Sequence, residues 1–487
     1  MRGWIHAAAV SMALLVGGHG LAQSPPGGDA VATAAEAALA ASVVPGASEV
    51  SLIVVEAATG RVRFARGPDR ALNPASNTKI FTAAAALSLL GPAARFTTSV
   101  LGALPDPDGV VHGDLVLQGG GDPSLDTGGL YTLALELRAR GIRRVDGDLL
   151  GDDGAYGDEH LPPAFEQQPN ETSPFRAAVG ALSLDDNAAT LTVLPGLPGQ
   201  PARLSMRPAG YFDLRGSVET SPGTAASSVR WQNQPRPDGR ETARVSGTIA
   251  PGPDPVVVRR RLDSPALAAG WAFRAALVAA GVTVRGRVRR ASAPQGAVVL
   301  ASRRSEPLAV LLQRVGKDSN NFYAEMILLA LGARVSPLPP SGSRFEAGAA
   351  QVRQWVADRG IDPEGLVIRN GSGLYDANRT TARQLAGALR AAWRDPRVHA
   401  EFIAQLAVGG DDGTLRARLQ TPASPRVVRA KTGTLRDVVA LSGYVLTDDP
   451  GQALVFVYLA NGVTGRTREA QQQADALGMA LVRASAR

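Results

Sequence analysis

The sequence predicts an α/β fold of the α+β kind, in which an antiparallel sheet is flanked by helices and carries a large, mostly β insertion. Three observations lead to this prediction. A strand pair and an apolar helix open the chain, strand-like pieces with glycine-rich turns fill residues 97–290, and helices and apolar strands return from about residue 298. At 487 residues the chain has room for two or three domains.

Residues 1–22 predict a secretory signal peptide. Arg2 precedes a mostly apolar run over residues 5–16, and small residues precede the expected cleavage before Gln23. This run is short for a membrane span, and no later stretch is long and apolar enough to be one. We therefore expect an exported mature chain without an integral span, located in the periplasm or, in a cell without an outer membrane, outside the cell.

The composition excludes several kinds of chemistry. The chain has no cysteine, so disulfides and thiolate catalysis are excluded. His112, His160 and His399, the histidines after the predicted signal, show no paired metal-ligand spacing, so we expect no metal, no other cofactor and no metal-dependent hydrolase. The net charge is +7, but no long basic block or aromatic-interleaved motif is present, and we expect no nucleic-acid partner.

The first elements form one group. Residues 31–42 are alanine-rich and predict a helix. Residues 50–55 and 61–65 are strand-like and are joined through Thr59 and Gly60, which predicts a hairpin. Residues 80–90 are apolar almost all round, which is typical of a helix buried in a core, and Gly91-Pro92 ends it.

The middle of the chain predicts inserted material. Strands at 97–101 and 113–117 precede a helix at 130–140, and a helix at 263–281 precedes a strand at 282–288. Between them, residues rich in Pro, Gly, Ser, Thr and Arg alternate as short strands. We expect a discontinuous main domain (30–96 and 291–487), an inserted accessory domain (97–190 and 256–290) and a second small β-rich domain (191–255).

The last third returns to the main domain. Helices are expected at 308–316, 321–331, 347–359, 381–393 and 401–406. Three apolar strands follow at 427–431, 441–446 and 453–460, and a helix at 466–482 closes the chain.

Lysine usage singles out three positions. Of 51 lysines and arginines only Lys79, Lys317 and Lys431 are lysines. An amine that must lose its proton to act as a base can only be lysine, because arginine stays charged. Each of these lysines therefore marks a place where chemistry is expected.

Each lysine belongs to, or lies beside, a short motif. Ser76 and Lys79 are three residues apart, so a helix starting there places the hydroxyl and the amine on one face. Ser319 and Asn321 are two apart, just after Lys317, and Lys431-Thr432-Gly433 sits on a predicted strand. Alone, these read as a helix cap, a polar loop and a strand end; together and in this order they match the serine penicillin-recognising set S-x-x-K, S-x-N and K-T-G.

With its long insertion, the chain resembles the class C low-molecular-mass penicillin-binding proteins, the D-alanyl-D-alanine carboxypeptidase/endopeptidase family. Further similar segments are 113–115 with 121–125, 145–149, 317–325, and 370–374, where Tyr375 stands in place of the usual serine. The resemblance implies the serine penicillin-recognising (transpeptidase/β-lactamase-like) fold. It also implies a serine-type peptidase that acts on peptidoglycan stems ending in D-Ala-D-Ala and is acylated by β-lactams.

Catalytic roles follow from the residues and from the resemblance. Ser76 is the expected nucleophile, and a neutral Lys79, kept so by burial and by the cation of Lys431, is its expected base. The resemblance implies that Ser319 relays a proton to the leaving nitrogen and that Asn321 hydrogen-bonds the substrate amide and Lys79.

Substrate binding is also implied by the resemblance. Lys431, Thr432 and Thr434, with Gly433 between them, would hold the terminal carboxylate. The backbone N–H groups of Ser76 and Thr434 would form the oxyanion hole. Asp185 resembles a family residue near substrate side chains, although an Asp-Asp-Asn run is also an ordinary turn. Lys317 has no role that the sequence defines; a structural contact beneath the Ser319 loop and a catalytic part are both open.

Two alternatives stay open at this point. A β-lactamase or esterase could use the same scaffold, although the sequence shows no obvious extra carboxylate for deacylation. A non-catalytic peptidoglycan-binding protein would need no deprotonated amine. Release of D-alanine from a pentapeptide, measured beside hydrolysis of nitrocefin, separates the three.

Overall fold

The computed structural model of the chain describes residues 29–41, 49–223, 226–420 and 426–485. The predicted signal peptide, residues 1–22, lies outside these ranges. None of the described helices combines the length and the apolar character that a bilayer crossing requires.

The described residues contain ten α-helices. They are α1 (Ala30–Ala41), α2 (Thr78–Leu90), α3 (Thr127–Ala139), α4 (Pro265–Ala279), α5 (Leu308–Gly316), α6 (Asn321–Gly332), α7 (Arg344–Asp358), α8 (Ala382–Arg394), α9 (His399–Ala404) and α10 (Thr467–Ser485).

They also contain 21 strands. The strands are β1 (Glu49–Glu56), β2 (Val62–Arg66), β3 (Thr97–Gly102), β4 (Val110–Val111), β5 (Leu115–Gln118), β6 (Arg144–Val145), β7 (Leu149–Asp152), β8 (Ala188–Leu194), β9 (Arg203–Arg207), β10 (Phe212–Gly216), β11 (Glu219–Thr220), β12 (Ser228–Pro235), β13 (Glu241–Ile249), β14 (Val256–Arg261), β15 (Thr283–Val284), β16 (Val288–Arg290), β17 (Val298–Arg304), β18 (Ala407–Val408), β19 (Val428–Thr434), β20 (Val438–Val445) and β21 (Leu454–Asn461).

A six-stranded antiparallel sheet joins the two ends of the chain. Its order is β18-β19-β20-β21-β1-β2, so β1 from the start of the chain pairs along its whole length with β21 near the end. The hairpin predicted at Thr59-Gly60 is present as β1 and β2. This pairing confirms an antiparallel sheet flanked by helices.

Helices cover both faces of this sheet. On β21, Val455 and Val457 belong to a core shared with α2 and α5–α8, whereas Phe456 and Tyr458 belong to a core shared with α1 and α10. Because successive side chains of a strand point to opposite faces, a strand covered on both faces is apolar at every position. This is why residues 454–460 read as a continuous apolar run.

Helix α2 lies inside the first of these cores. Its residues from Thr78 to Leu87 are buried, and it packs against α5, α6, α7 and α8. The four consecutive alanines, 83–86, let neighbouring helices approach closely. The all-round apolar pattern therefore predicted correctly that this helix is buried.

The intervening residues form mostly β structure with two helices. A five-stranded sheet, β16-β7-β5-β3-β17, packs with α3 and α4 around its own core, and smaller sheets carry β8–β14. Several pairs in this part are parallel, including β5 with β7. The domain boundaries given above stay a prediction.

One predicted strand is divided. Residues 282–288 form two short strands, β15 and β16, that pair with β6 and β7 in different sheets. Between them a Cβ at Gly286 would lie 2.3 Å from the carbonyl oxygen of Gly147. Two backbones cross there, and this close approach ends the strand.

Candidate active site

A strained turn presents Ser76 at the start of α2. Residues Ala75–Asn77 form one 3₁₀ turn that runs directly into the helix. Ala75 has a φ of 46°, in the left-handed region that non-glycine residues rarely adopt. Its N–H donates to Asn73 Oδ1 (2.9 Å) and its carbonyl accepts from Thr78 Oγ1 (3.0 Å). These bonds fix the turn, and Ser76 sits on it as the sequence predicts.

Lys79, one turn into α2, reaches three oxygen atoms. Its Nζ lies 2.7 Å from Asn321 Oδ1, 2.7 Å from the carbonyl oxygen of Ser372 and 3.0 Å from Ser76 Oγ. The first two can only accept hydrogen bonds, and a neutral amine has two N–H groups to donate. Its lone pair is then left for the Ser76 hydroxyl. The geometry thus suits a neutral Lys79 that accepts the Ser76 proton.

The electrostatics favour the same protonation state. Lys79 is 1% exposed, and burial lowers the pKa of its amine well below the usual value. The cation of Lys431 lowers this pKa further, whereas the carboxylate of Glu325 raises it. Burial is the largest of the three effects.

Ser319 and Lys431 form the second half of the site. Ser319 lies in the turn between α5 and α6, with a φ of 56°, and its Oγ accepts from Lys431 Nζ at 2.9 Å. Lys431 also donates to the carbonyl oxygen of Thr432 at 2.8 Å. Burial lowers the pKa of Lys431 to about 7. Asn320 caps α6 by accepting from Tyr323 N–H (3.1 Å), which holds Asn321 at the start of the helix.

Strand β19 brings the Lys-Thr-Gly motif against the Ser76 turn. A Cβ at Gly433 would lie 3.0 Å from the carbonyl oxygen of Pro74, so glycine permits this close passage. Asn77 Nδ2 donates to Ser442 Oγ (2.8 Å), and Ser442 is the β20 partner of Lys431. The Ser76 turn therefore packs against β19 at Gly433 and is hydrogen-bonded to β20 at Ser442.

The two threonines of β19 have different partners. Thr432 Oγ1 lies 2.8 Å from the hydroxyl of Thr414, and Thr434 Oγ1 accepts from Gln471 Nε2 at 3.2 Å. Thr434 is exposed at the end of the strand, where a ligand can reach it.

Lys317 anchors the loop that carries Thr414. Its Nζ donates to Asp412 Oδ2 (2.6 Å) and to the carbonyl oxygen of Leu406 (3.2 Å). Its own carbonyl accepts from Thr414 N–H at 3.0 Å. These contacts fit a structural role for Lys317, one of the two possibilities that the sequence left open, and this role stays a prediction.

Asp185 has no described contact with the Ser76 group. Its Oδ2 accepts from Thr127 Oγ1 at 2.8 Å, at the start of α3. The neighbouring Asp186 is the residue that reaches the Ser319 loop, where its Oδ2 accepts from Asn320 Nδ2 at 3.1 Å. A substrate contact by Asp185 stays a prediction.

Tyr375 lies at the edge of the site region. It has a φ of 64°, its ring meets Phe165 edge-on with centroids 5.7 Å apart, and its hydroxyl lies 3.3 Å from Gln168 Oε1. The tyrosine in place of serine is thus held by a segment of the insertion.

Sequence reasoning missed the support behind Lys79. Glu325 is 1% exposed in α6, and its two carboxylate oxygens accept from the backbone N–H groups of Gly371 (2.9 Å) and Ser372 (2.8 Å). Ser372 in turn supplies the carbonyl that accepts from Lys79. A single acid in the otherwise apolar run of α6 is the signal that could have identified Glu325.

A glycine completes this support. Gly373 has a φ of +78°, and a Cβ there would lie 1.8 Å from the carbonyl oxygen of Ala75. The 371–373 loop therefore packs directly beneath the Ser76 turn. Within residues 29–41, 49–223, 226–420 and 426–485, no group of three or more His, Asp or Glu side chains is placed to hold a metal ion.

Comparisons with known proteins place this geometry in a family. Residues 33–483 match the model of the D-Ala-D-Ala carboxypeptidase 3 (S13) family. A D-alanyl-D-alanine carboxypeptidase from Actinomadura sp. (strain R39) is 36% identical over 445 residues, which cover 88% of this chain and 80% of the relative.

Solved structures agree on the fold. Penicillin binding protein 4 (dacB) from Haemophilus influenzae matches with a TM-score of 0.74 and 24% identity, over 90% of this chain and 97% of that one. The same protein in complex with a β-lactam matches with a TM-score of 0.69, 24% identity, and coverage of 91% and 98%.

Proposed function

This chain belongs to the D-Ala-D-Ala carboxypeptidase 3 (S13) family, and from that membership we propose that it cleaves D-alanyl-D-alanine ends, or D-alanyl cross-links, of peptidoglycan through an acyl-enzyme on Ser76. The family match and the relative confirm the predicted family and the predicted class of enzyme, a serine-type D-Ala-D-Ala peptidase. The solved structure confirms the predicted fold class.

One observation carries the proposed mechanism: the hydrogen-bond arrangement around Lys79. Two acceptors take both N–H groups of a neutral amine, and the Ser76 hydroxyl lies 3.0 Å from the same nitrogen. The proton of Ser76 passes to Lys79 Nζ as Ser76 Oγ bonds to the carbonyl carbon of the penultimate D-alanine. The resulting oxyanion faces the N–H groups of Ser76 and Thr434, and one such donor is worth about two to three decades in rate.

Collapse of this intermediate breaks the peptide bond. The proton held by Lys79 is returned through the Ser319 hydroxyl, which contacts Lys431, to the nitrogen of the leaving D-alanine. Water then attacks the acyl carbonyl carbon while Lys79 accepts one of its protons. The bond to Ser76 Oγ breaks, Lys79 passes the proton to Ser76 Oγ, and the shortened peptide leaves with a free carboxylate.

Lys431, Thr432 and Thr434 bind the terminal carboxylate of the substrate. The ammonium of Lys431 supplies the charge, and the exposed hydroxyl of Thr434 supplies a donor. Asn321 holds the substrate amide in place while its Oδ1 accepts from Lys79. β-Lactams acylate the same serine.

Two observations weigh on the alternatives. The buried acid nearest to the base, Glu325, has both oxygens occupied by backbone N–H groups, so it is not free to activate a deacylating water as a β-lactamase acid would. A purely binding protein does not require a buried amine with a lowered pKa.

We place the enzyme outside the cytoplasmic membrane, where peptidoglycan lies, after removal of residues 1–22.

Labelling with a fluorescent penicillin tests the proposal. Wild type should be labelled, Ser76→Ala should not, and Ser88→Ala, a half-buried serine on the same helix, should be labelled normally. Labelling of Ser76→Ala at another residue contradicts the assignment of the nucleophile. Release of D-alanine from a pentapeptide, without comparable turnover of nitrocefin, is the expected activity; the reverse result identifies a β-lactamase.

A further inference from the structure

An open cavity of about 530 Å³ lies where the end of α7 meets α8, and it shares no lining residue with the Ser76 site. Its charged lining consists of Arg359, Asp362, Arg383, Arg390, Arg394 and Asp395. We call it the Arg390 cavity. Four guanidinium groups against two carboxylates leave two positive charges in one concave place.

Both carboxylates and two of the arginines are already engaged. Asp395 accepts from Arg359 (3.1 Å) and from Arg397 (2.8 Å). Asp362 Oδ1 accepts from the backbone N–H of Glu364 at 2.9 Å. Arg383 forms a two-bond ion pair with Asp69 (2.6 and 3.0 Å). The excess charge is therefore carried by Arg390 and Arg394.

Arg390 is held in place without a carboxylate. Its guanidinium donates to the carbonyl oxygens of Ala57 (3.3 Å) and Ala58 (3.4 Å), in the turn between β1 and β2. A Cβ at Gly60 would lie 2.4 Å from its Cζ, so the glycine leaves room for the charged group. Burial and the nearby Arg394 lower the pKa of Arg390, as expected for a cation that lacks a counter-charge.

Arg394 lies one helical turn further along α8. In the described part of the chain its side chain has neither a hydrogen bond nor an ion pair, and it is exposed. Residues four apart on a helix share a face, so its guanidinium and that of Arg390 can approach one ligand from the same side. The adjoining cavity is lined by Asp69, Asp362 and Glu364, and these carboxylates disfavour an anion on that side.

We propose that the Arg390 cavity binds a dianionic phosphate group, with Arg390 and Arg394 as its two principal ligands. Two guanidinium groups without a carboxylate partner match the charge of a phosphate dianion, whereas a single carboxylate would leave one of them without a counter-charge. The planar fork of arginine is also well suited to pairs of phosphate oxygens. The phosphate can belong to a soluble molecule or to a lipid headgroup, and the experiment separates these sources.

The first experiment is a calorimetric titration of the mature protein with inorganic phosphate. Chloride keeps the ionic strength constant. Wild type should bind saturably, and Arg394→Gln should bind at least about ten-fold more weakly, since one charge-assisted hydrogen-bonded pair is lost. Arg353→Gln is the matched control, because Arg353 is an exposed arginine on α7 outside the cavity. Arg394 has no partners to lose, so its variant should fold; retained labelling by fluorescent penicillin checks this.

Cosedimentation with phosphatidylcholine vesicles that contain phosphatidic acid is the second experiment. If the vesicles bind wild type and Arg353→Gln but bind Arg394→Gln more weakly, the site takes a lipid phosphate. If inorganic phosphate binds and the vesicles do not, the site takes the phosphate of a soluble molecule. The proposal is wrong if wild type binds neither probe saturably, or if Arg394→Gln binds as wild type does. Penicillin labelling reports on the Ser76 site separately, so failure of one proposal does not imply failure of the other.

Discussion

Replacement of Glu325 by glutamine tests whether a buried carboxylate holds the catalytic lysine in place. Both carboxylate oxygens of Glu325 accept backbone N–H groups, at 2.8 and 2.9 Å, from the loop whose Ser372 carbonyl faces Lys79. Glutamine keeps one acceptor and puts an NH₂ group where the other was. A backbone N–H then meets a donor in a buried place.

The magnitude follows from that mismatch. A buried donor left without its partner costs about 1–3 kcal/mol, so we expect the free energy of unfolding of Glu325→Gln to fall by about that amount. The loop should also shift, and a displacement of about 1 Å at a catalytic group can cost about 100-fold in rate. Loss of the negative charge lowers the pKa of Lys79 further, because the carboxylate raises it in the wild-type protein.

Two measurements check this expectation. Denaturant unfolding gives the change in stability, and the rate of labelling by fluorescent penicillin gives the change in acylation. The matched control is Glu36→Gln, an exposed glutamate in the middle of α1 without a described partner, which should leave both quantities unchanged. If Glu325→Gln unfolds and reacts as wild type does, the carboxylate is not what orders the 371–373 loop.

Three further predictions concern the lysines. Lys79→Arg should not be labelled by penicillin, because arginine cannot accept the Ser76 proton, and normal labelling would rule out Lys79 as the base. Burial lowers the pKa of Lys431 to about 7, so its ammonium is present below that pH and is lost above it. We therefore expect kcat/KM for a D-Ala-D-Ala peptide to fall as the pH rises through about 7. This fall should be absent in Lys431→Arg, because arginine keeps its charge. Lys317→Met removes the 2.6 Å pair with the partly exposed Asp412 and should lower the free energy of unfolding, measured in urea, by about 1 kcal/mol; an unchanged midpoint would contradict a structural role for this lysine.

Local patterns in the sequence were sufficient for most elements of the main domain. The apolar run after Lys79 predicted a buried helix, and the strand pair around Gly60 predicted a hairpin, because both depend on side-chain periodicity and turn chemistry within a few residues. The division of residues 282–288 between two sheets was not predicted. It depends on the crossing with Gly147, which is distant in the chain.

The candidate site divides in the same way. Motif spacing and the rarity of lysine selected five residues: Ser76, Lys79, Ser319, Asn321 and Lys431. The structure joins Ser76, Lys79 and Asn321 in one hydrogen-bonded group, and Ser319 and Lys431 in another. Their roles, like the domain boundaries, remain predictions for experiment. Lys79 and Asn321 are 242 residues apart, and only the pairing of distant elements brings their side chains to 2.7 Å.

By itself, the sequence determined which residue types the chemistry requires: a hydroxyl, an amine that can lose its proton, and a second cation. We expected burial and the cation of Lys431 to keep this amine neutral, but only the tertiary structure decided which elements bury it and which acceptors take its N–H groups. Burial of Lys79, the two carbonyl-type acceptors that take its N–H groups, and the support of the Ser372 loop by Glu325 all arise from contacts between α2, α6 and the 371–373 loop. A pKa depends on the surroundings of a group in space, and the sequence around Lys79 does not contain those surroundings.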